Sequence, residues 1–544
     1  MTLSRGFFLS ACLLITPLAH ARTPSVDVCI YGATPAGVTA AIAAKQEGAS
    51  VLLVEPGRWV GGILGAGIKP KQDCAEEKAV GGLTKTRVFA MGGNPPAIRA
   101  DFEKWLKEEN IEVLREHRVS KVEKDDAKIT RLQLEFAPPD QFGIPPAKGT
   151  PAPGKTIQAK VFIDTSYEGD VMALAGVKYA TGREPSSAFN EKPAGVGPPT
   201  NWKPIDPHVV PGDPKSGLLP LVDADHGKAL GEGDDYTQAY NYRFYVTNEA
   251  GKRTPFEKPA GYDPAQFELV GRYVDVLVKA HHKDPKKLDQ RLSDIFPGWR
   301  NAGEYNYQRS SLVTIAPLGV SRFYMDGTWE VRSKVWQQHK DYLSGLHHFL
   351  STDPRVPEDF RQKTAALGLN KIMHEDTHGW PNQLYVRITR RMLAPYHLTH
   401  ADVLNTTQVG DSVGLALYGV DTYPARRYAA KNPETGELGV ATEGNMFIGG
   451  AKGTGTPYPV PYRAIHPKAE EATNLLVPVC FSATHIAYAS ARMEPVFSVL
   501  GESAGVAAAQ AVKAGQTVQQ VDVPALQARL LARGQILEWK PNPQ

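Results

Sequence analysis

The hydrophobic positions after residue 25 form a short continuous run, then follow helical spacing, and then form a second short run. The three segments read VDVCIY (residues 26–31), AGVTAAIAAKQEG (residues 36–48) and SVLLVE (residues 50–55). Short apolar runs on both sides of an alanine-rich helical segment are typical of two parallel strands joined by a crossover helix. The pattern therefore predicts a βαβ unit over residues 25–55.

The pattern continues with alternating helical and extended segments. IRADFEKWLKEEN (residues 98–110) has helical spacing, and residues 111–136 read as a run of strands with a tight turn near Asp125 and Asp126. The remaining predicted elements are a strand that runs into a helix (residues 159–176), a late apolar strand (residues 474–480) and a final helix (residues 500–512). Strands that alternate with helices predict an α/β fold.

Composition and charge narrow the class of protein. The chain has 544 residues, of which 42% are hydrophobic, so it can bury a sizeable core. The formal net charge is only +3, and Lys and Arg are scattered along the chain. We therefore expect no nucleic-acid partner, because such proteins carry clustered positive charge.

The N-terminal segment has the layout of a signal peptide. Arg5 precedes an apolar run at residues 7–19, and Ala19-His20-Ala21 is an A-x-A cleavage pattern. A buried first helix is the alternative. SRGFFLS also resembles a twin-arginine signal, but Gly6 stands where the second arginine would be, so the export route stays open. We expect a periplasmic or secreted protein without stable membrane insertion after cleavage.

The cysteines do not indicate a disulfide or metal framework. Cleavage after residue 21 would leave Cys29, Cys74 and Cys480, which are widely separated in the sequence. This spacing fits neither a disulfide scaffold, nor a metal site, nor an iron–sulfur cluster. Cys29 and Cys480 lie in apolar runs and are expected to be small core residues.

The turn YGATPAG (residues 31–37) resembles a glycine-rich dinucleotide turn whose middle glycine is replaced. Gly32 and Gly37 hold the outer positions and Thr34 the middle one, where its hydroxyl could donate to a phosphate. The following helix would present its N-terminal N–H groups to an anion. Glu55, 18 residues after Gly37, is placed for ribose hydroxyls. An ordinary α/β turn is the alternative.

A glycine pair close behind Glu55 bears on which dinucleotide is bound. The segment GRWVGGILGAG (residues 57–67) contains Gly61 and Gly62. An acid, a short spacer and a glycine pair form the pattern of FAD proteins of the glutathione-reductase type, which an NAD domain does not need. A flexible glycine loop is the alternative. The sequence therefore favours FAD over NAD.

Taken together, these motifs resemble an FAD-dependent oxidoreductase family that includes many secreted bacterial proteins and whose flavin domain is related to that of heterodisulfide reductase A subunits. The matching segments are YGATPAGVTAAIAA, VGGILGAG, VFIDTSYEGDVMALAGV, YNYR, GWPNQLYVRITRRM and VPVCFSATHIAYASARMEPVFSVLGESAGVAAAQA. The chain departs from the family pattern at Thr34, at Ile388-Thr389, where a glutamate usually precedes the paired arginines, and in lacking an iron–sulfur motif.

The resemblance implies an α/β fold with a glutathione-reductase-type FAD-binding Rossmann domain and an inserted α+β substrate domain. The expected divisions are a signal peptide (residues 1–21), a first FAD-binding part (residues 22–190), an inserted substrate or cap domain (residues 191–439), a second FAD-binding part (residues 440–515) and a C-terminal tail (residues 516–544).

The resemblance also implies the residues that hold the cofactor. The backbone near Val119 is expected to meet the adenine, and the segment with Asp164 and Ser166 is expected to close over the dinucleotide. A final helix starting near Gly501 is expected to point its N-terminus at the flavin, although these small residues also suit helix packing. The full expected set is Gly32, Ala33, Thr34, Ala36, Gly37, Glu55, Gly61, Gly62, Val119, Asp164, Ser166, Arg492, Gly501 and Ala504.

Candidate catalytic residues are histidines and carboxylates that the fold could bring to the flavin. His485 is the first candidate base, because an ordinary histidine pKa near 6.5 suits proton transfer at neutral pH. His378 and Glu375 are the alternatives. HEDTH (residues 374–378) is only superficially similar to a zinc-binding HExxH, because Gly379 and Pro381 interrupt the required helix. We predict no metal site.

Substrate contacts are expected from the inserted domain. Arg387 and Arg390 could bind a carboxylate or a hydroxyl-rich ligand, although a salt-bridged helix face is the alternative. Tyr242 could stack on a sugar ring, although such aromatic residues more often belong to the core. Arg492 could face the flavin or the substrate, with an ion pair to Glu494 or Glu502 as the alternative.

The sequence therefore predicts an exported flavoenzyme that oxidises a CH–OH or CH–NH bond of a small polar substrate by hydride transfer to flavin N5. Family association suggests a carbohydrate derivative, and the electron acceptor is unidentified. The alternatives are a flavin-dependent reductase of an activated double bond, or a flavin-loaded electron-transfer or binding protein without turnover.

The cleavage pattern yields a testable prediction. If Ala19-His20-Ala21 is the processing site, the mature protein starts at Arg22. N-terminal sequencing of the protein from its native host measures this directly, and an intact Met1 on cytoplasmic protein would contradict it. Gly6→Arg restores the second arginine, so it should raise transport only if the twin-arginine route is used.

Overall fold

A computed structural model of the chain describes residues 25–297, 303–449 and 455–540, with side chains of residues 152–154 excepted. The expected signal peptide lies outside these residues. Within the described part of the chain, no helix is long and apolar enough to cross a membrane.

The described residues form twenty strands and thirteen α-helices. The strands are β1 (Ser25–Tyr31), β2 (Val51–Glu55), β3 (Glu112–Arg115), β4 (His117–Asp125), β5 (Lys128–Phe136), β6 (Thr150–Asp164), β7 (Tyr179–Ala180), β8 (Thr200–Lys203), β9 (Phe244–Thr247), β10 (Arg253–Pro255), β11 (Gly303–Tyr305), β12 (Gly368–Asn370), β13 (Arg391–Met392), β14 (Ser412–Ala416), β15 (Val420–Thr422), β16 (Arg426–Lys431), β17 (Leu438–Glu443), β18 (Met446–Ile448), β19 (Tyr458–Pro461) and β20 (Leu475–Leu476). The helices are α1 (Pro35–Gln46), α2 (Gly62–Ala66), α3 (Gly82–Thr86), α4 (Pro95–Glu108), α5 (Asp170–Leu174), α6 (Glu268–His281), α7 (Pro285–Ser293), α8 (Trp329–Thr352), α9 (Glu358–Ala366), α10 (His400–Val403), α11 (His485–Ala491), α12 (Glu494–Ala514) and α13 (Val523–Ala532).

The largest sheet is built on the predicted βαβ unit. β1 pairs in parallel with β2 on one side and with β6 on the other, and β3 extends the sheet beyond β2. β20 adds a further parallel partner to β6. The carboxyl ends of β1, β2 and β6 therefore meet at one edge of the sheet, where ligands of open α/β sheets bind.

An antiparallel meander connects β3 to β6. β4 and β5 form a hairpin that turns at Asp126, which has a left-handed φ of 50°, and β5 pairs with β6. The tight turn and the run of strands that the sequence predicted over residues 111–136 are confirmed. So is the helix predicted at residues 98–110, which is α4.

Two helices that are far apart in sequence pack against each other in the core. α1 and α12 touch through small residues, because a Cβ on Gly501 would overlap the carbonyl oxygen of Ala36 and a Cβ on Gly505 would overlap that of Ala40. Thr39 ties the two helices by donating to the carbonyl oxygen of Ser498 at 2.8 Å. The final helix was expected from Leu500, but it begins two turns earlier, at Glu494.

The middle of the chain adds smaller sheets and a helical layer. β9 to β12 form a four-stranded sheet beside α6 to α9, and β8 pairs with β17, which also pairs with β16. The expected domain boundary at residues 439/440 thus falls inside β17. The expected C-terminal tail contains α13, which buries Leu526 and Leu530 against the core.

The contact between α1 and α12 yields a prediction. Gly505→Ala should lower the free energy of unfolding by about 1–3 kcal/mol, because the new methyl group overlaps the Ala40 carbonyl and forces the two helices apart. Urea unfolding measures the change. Gly93→Ala is the control, since no atom lies within 4 Å of its Cβ position. Equal stability of the two variants would contradict the close packing.

Candidate functional site

A cavity opens at the edge where the carboxyl ends of β1, β2 and β6 meet. The empty space between its walls is about 780 Å³, which includes space open to solvent. Its walls are formed by Gly32, Thr34, Glu55, Pro56, Gly57, Trp59, Gly62, Arg118, Ala137, Pro139, Gly143, Pro145, Ser166, Tyr167, Glu168, Tyr324, Trp329, Trp336, Asn382 and Gln383. The turn, the acid and the glycine pair singled out in the sequence thus line one cavity.

The turn after β1 is shaped by close backbone contacts. Gly32 has φ 99°, and a Cβ there would lie 2.8 Å from the backbone nitrogen of Ser166. A Cβ on Gly37 would overlap the carbonyl oxygen of Gly32. The backbone N–H groups of Thr34 and Ala36 have no partner within the described residues. The N-terminus of α1 can therefore receive an anion, as expected for a pyrophosphate.

Thr34 does not play the part expected from the sequence. Its hydroxyl donates to the carbonyl oxygen of Thr165 at 2.9 Å and accepts from the N–H of Gly37 at 3.3 Å. The hydroxyl hydrogen is therefore committed to the protein, and Thr34 acts as the N-cap of α1. Phosphate contacts at this position fall to the backbone rather than to the side chain.

Glu55 stands at the end of β2 and contributes its carboxylate to the cavity. Its two oxygens accept from the N–H groups of Ala33 and Gly57, both at 2.6 Å. Burial raises the pKa of Glu55 to about 7 against these two hydrogen bonds. The side chain of Ala33 is fully buried, and its carbonyl accepts from the N–H of Gly61 at 2.7 Å. Ala33 thus links the first turn to the glycine pair through its backbone.

The glycine pair allows α2 to begin directly at the cavity wall. Gly61 and Gly62 have φ values of 90° and 46°, which favour glycine. A Cβ on Gly61 would lie 2.5 Å from the Phe102 ring, and a Cβ on Gly62 would lie 2.5 Å from the hydroxyl of Tyr167. Both positions are therefore restricted to glycine by space as well as by backbone conformation.

Aromatic residues from the middle of the chain cover the cavity. Trp329 and Trp336 lie on α8, and Trp59 lies on the loop before the glycine pair. Arg118 packs its guanidinium 4.5 Å from the centroid of the Trp329 ring. Flat rings and a planar cation in the wall suit the flat ring systems of a dinucleotide.

Two expected cofactor contacts are corrected near β4 and β6. The N–H of Val119 donates to the hydroxyl of Tyr31 at 3.2 Å, so it does not reach an adenine; Arg118 and Ala137 line the cavity instead. Asp164 is fully buried and accepts from Ser166 and from the N–H of Met172, which shapes the turn after β6. Burial raises the pKa of Asp164 to about 6. Ser166 itself lines the cavity, as expected.

The expectations for the final helix are corrected as well. Because α12 begins at Glu494, Gly501 and Ala504 lie in its second and third turns and not at its N-terminus. Both are fully buried, and Gly501 faces Ala36 on α1. Of the two roles weighed for these residues, helix packing is the one that their position allows. Ala36 likewise offers the cavity its backbone N–H rather than its side chain.

Beyond the cavity, Arg387, Arg492, Tyr385, Tyr423 and Gln238 form what we call the arginine–tyrosine cluster. The guanidinium of Arg387 lies 4.3 Å from the centroid of the Tyr385 ring and 3.9 Å from that of Tyr423. Arg492 donates to the hydroxyl of Tyr385 at 3.1 Å and to the side-chain oxygen of Gln238 at 3.3 Å. Burial lowers the pKa of Arg387 below its ordinary value.

This cluster contains buried polar atoms that are unpaired. The Nε atoms of Arg387 and Arg492 and the amide nitrogen of Gln238 have no hydrogen-bond partner among the described residues. Arg492 pairs with Asp421 at 3.5 Å rather than with Glu494 or Glu502. Among the described residues, no carboxylate oxygen lies within 4.0 Å of the guanidinium nitrogens of Arg387. Unpaired buried donors are rare in folded proteins and indicate a missing partner.

Arg390 and Tyr242 are not where substrate contacts were expected. Arg390 donates to Asp170 at 2.9 Å, to Asp326 at 2.8 Å and to the Glu168 carbonyl at 3.0 Å, so its donor fork is held by the protein. Tyr242 is 2% exposed and packs edge-on against Trp336. Its ring belongs to the core behind the cavity wall and cannot stack on a ligand.

His485 does not have the properties of the expected base. It is 4% exposed, and its backbone N–H donates to Glu184 at 2.9 Å. Burial, followed by the charge of Arg391, lowers the pKa of His485 to about 3. The imidazole is therefore neutral at ordinary pH and a very weak proton acceptor. It lies among Arg391, Glu184 and Arg183, away from the cavity lining.

The other candidate bases, Glu375 and His378, lie at the surface. Glu375 is in a single 3₁₀ turn, and His378 follows it with a left-handed φ of 55°. Both side chains are exposed, and the His378 ring lies 5.9 Å from that of Phe142. The loop they belong to contributes Asn382 and Gln383 to the cavity wall, so the loop approaches the site while these two side chains do not.

Asp73 is a further candidate residue, and nothing in the sequence indicated it. It has a left-handed φ of 57° in the loop after α2. Burial raises the pKa of Asp73, while the charges of Arg243 and Arg492 oppose the rise. Its sequence context, KPKQDCAEE, offers no signal for this position. Tyr385, by contrast, could have been found, because it stands two positions before Arg387 on the same side of an extended segment.

Glu55 gives a direct test of the cavity as the FAD site. Glu55→Gln keeps the shape but removes the charged acceptor for ribose hydroxyls, so FAD should bind about 10- to 100-fold more weakly. Titration of apoprotein with FAD measures the dissociation constant. Glu109→Gln is the control, because Glu109 is half-buried, accepts from the side chain of Gln46 and does not line the cavity. Unchanged affinity in the Glu55 variant would contradict this placement of the adenosine.

Comparison with solved structures finds only weak likenesses. A geranylgeranyl bacteriochlorophyll reductase-like protein from Thermoplasma acidophilum matches with 18% identity over 29% of this chain and 43% of that chain, at a TM-score of 0.19. A thioredoxin reductase from T. acidophilum matches with 17% identity over 26% of this chain and 34% of that chain, at a TM-score of 0.16. L-proline dehydrogenase from P. horikoshii matches with 19% identity over 30% of this chain and 25% of that chain, at a TM-score of 0.17. Likenesses this weak, over less than half of each neighbour, carry no conclusion.

The comparison of sequences is decisive for the family. No curated protein matches the chain. Residues 27–530, which include every element of the cavity and of the arginine–tyrosine cluster, match the family described as FAD dependent oxidoreductase. The residues present fit this cofactor, since Gly32 and Thr34 of the turn before α1, Glu55 and Gly62 line one cavity. The chain therefore belongs to the FAD-dependent oxidoreductase family, and FAD is its cofactor.

Proposed function

We propose that the protein oxidises a CH–OH or CH–NH bond in a small polar substrate that carries a carboxylate, such as a hydroxy acid, an amino acid or a sugar acid. Bound FAD supplies the hydride acceptor, at flavin N5. The observation that carries the proposal is Arg387, a buried guanidinium between two tyrosine rings with no carboxylate beside it among the described residues.

Arg387 has the chemistry of a carboxylate anchor. Its terminal nitrogens donate to the carbonyl oxygen of Ala239 and to the side-chain oxygen of Asn306, which leaves Nε free. A buried charge without a counter-ion is destabilising, because the hydration lost on burial is not replaced by an opposite charge. A ligand carboxylate would supply the missing negative charge and accept from Nε. The planar donor fork suits this group better than a lysine would.

The arginine–tyrosine cluster is connected to the FAD cavity through neighbouring residues. Gln383 lines the cavity, and Tyr385 follows it by two residues. The hydroxyl of Tyr245 donates to the carbonyl of Gly67, the residue that ends α2, at 3.1 Å. Arg243, two residues before Tyr245, packs against the Tyr385 ring. These contacts support a substrate held between the cluster and the flavin.

Four residues of the cluster, together with Asp73, then have distinct tasks. Arg387 and Arg492 bind the carboxylate and orient the carbon that loses the hydride. Tyr385 and Tyr423 form the walls that exclude water. Asp73 accepts the proton of the hydroxyl or ammonium group as the C–H bond transfers its hydride, so both hydrogens are accounted for. Burial raises the pKa of Asp73, which makes its carboxylate a stronger base than an ordinary aspartate.

The proposal also includes the fold type and the location of the protein. The parallel order β3-β2-β1-β6 with β20 beyond it, together with the antiparallel β4-β5-β6 meander, supports a glutathione-reductase-type domain with an inserted substrate domain. The apolar run before Ala19-His20-Ala21 supports export to the periplasm or the medium. A separate electron acceptor reoxidises the flavin.

The substrate class is tested by anaerobic bleaching of the bound flavin. Matched pairs should be offered, such as a sugar acid with its neutral sugar, an amino acid with its amine, and a hydroxy acid with its alcohol. The panel also includes compounds with an activated double bond, which are offered to the protein with reduced flavin. Reoxidation of the flavin by such a compound would reveal a reductase. Bleaching by the carboxylate member of a pair, and not by the neutral member, is the expected result.

Arg387→Gln tests the anchor itself. The variant should retain FAD but raise KM for the carboxylate substrate by about 10- to 100-fold, because a charge-assisted hydrogen bond is lost. Arg387→Lys keeps the charge without the fork and should fall between the variant and the wild type. Arg463→Gln is the control, since Arg463 is half-exposed and bonded to Asp411. Neutral substrates that bleach the flavin equally well in all variants would contradict the proposal.

A further inference from the structure

We propose that Glu494 is a neutral carboxylic acid that helps to hold FAD. Its Oε2 carries the proton and donates a hydrogen bond to an acceptor atom of the flavin, while Tyr167 fixes Oε1. This role goes beyond the substrate proposal and does not depend on it.

Glu494 lies next to the cavity wall. It is the first residue of α12, and its Oε1 accepts from the hydroxyl of Tyr167 at 2.8 Å. Tyr167 lines the cavity next to Gly62, whose Cβ position is 2.5 Å from the same hydroxyl. Gly62 and Glu494 are therefore both neighbours of the Tyr167 hydroxyl at this wall.

The direction of the hydrogen bonds assigns the proton to Oε2. The hydroxyl of Tyr167 accepts from the N–H of Ile63 at 3.1 Å and so has its own hydrogen left to donate to Oε1. Oε1 is thus an acceptor. Oε2 is buried and has no partner within the described residues. A buried donor or acceptor without a partner costs free energy, so a ligand atom is needed to complete the pair.

The surroundings keep the acid neutral. Burial raises the pKa of Glu494 to about 8, against the hydrogen bond from Tyr167. The other ionisable groups in these surroundings are Tyr488 on α11, Arg492 just after α11 and Glu168 beside Tyr167. Arg492 is held by Asp421, and Glu168 accepts from Tyr324 at 2.8 Å. The residues that α1 buries against α12 carry no ionisable group.

The proposal predicts how the affinity for FAD depends on pH. Wild type and Glu494→Gln should bind FAD alike at pH 6.5, because the amide is also a neutral donor of the same shape. At pH 9 the wild type should bind roughly tenfold more weakly than the variant, because it has lost the donor and faces the flavin with a charge. Glu55 and Glu168, whose pKa values burial raises to about 7, titrate in both proteins and cancel in the comparison.

Stability of the apoprotein provides a readout without FAD. The pKa of Glu494 is about 8 in the folded protein and has an ordinary value of 4.5, so between these values the folded state holds a proton that the unfolded chain has released. The stabilisation is complete below pH 4.5 and is lost as pH rises through 8. Urea unfolding should therefore show wild type losing stability relative to Glu494→Gln over this window.

Glu502→Gln is the matched control on the same helix. Glu502 is also buried, but it is bonded to Arg533 and Gln535 on the side away from the cavity. This variant should leave the FAD affinity and its pH dependence as in wild type. The proposal would be overturned if the dissociation constants for FAD of wild type and Glu494→Gln changed in parallel from pH 6.5 to 9. A water molecule, and not the flavin, would then be the partner of Oε2. Unfolding curves that run parallel would overturn the proposal by showing that Glu494 is already ionised.

Discussion

The structure depends on places where two backbones approach so closely that only a hydrogen atom fits between them. Gly32 crosses the backbone at Ser166, and Gly505 lies against the carbonyl of Ala40. Each contact removes a side chain from the interior and lets α1, α12 and the turn after β6 meet around one point. Because these contacts fix where α12 starts, they also place Glu494 against Tyr167. The cofactor site is thus a consequence of packing, and a methyl group at one of the glycines would move the walls of the cavity.

Several buried arginines of the protein are paired with acids, and the site departs from this pattern. Arg183 is bonded to Glu443 and Arg391 to Glu184, whereas buried Arg427 donates to carbonyl oxygens. Arg387 is a cation without an acid, and Glu494 is an acid without a cation, within the described residues. Such exceptions are costly in a packed interior and persist where a ligand completes them. Glu494 contacts Tyr167 of the cavity wall, whereas Arg387 lies in the arginine–tyrosine cluster, which is why we propose the cofactor as the partner of Glu494 and the substrate as the partner of Arg387.

Much of the fold could be predicted from the sequence, because periodicity and turn chemistry are local. The βαβ unit, the hairpin at Asp126 and α4 were all predicted close to their observed positions, and the glycine pair was correctly joined to the turn and Glu55. The site could be predicted only in part, since burial is not a local property. The ordinary pKa of a histidine made His485 attractive as a base, but the surrounding Arg391 and the packed interior remove that property. Asp73 had no sequence signal at all, and the cluster draws on segments hundreds of residues apart.

The junction between α11 and α12 separates two ionisable residues that are close in the sequence. Arg492 and Glu494 are separated only by Met493, and an ion pair between them was one of the alternatives that the sequence offered. Arg492 follows α11 and turns towards Asp421, whereas α12 begins at Glu494 and carries it towards Tyr167. Had the two helices been continuous, residues two positions apart would still not share a face. The break goes further, because Arg492 joins the arginine–tyrosine cluster while Glu494 contacts Tyr167 at the cavity wall and keeps Oε2 without a partner among the described residues.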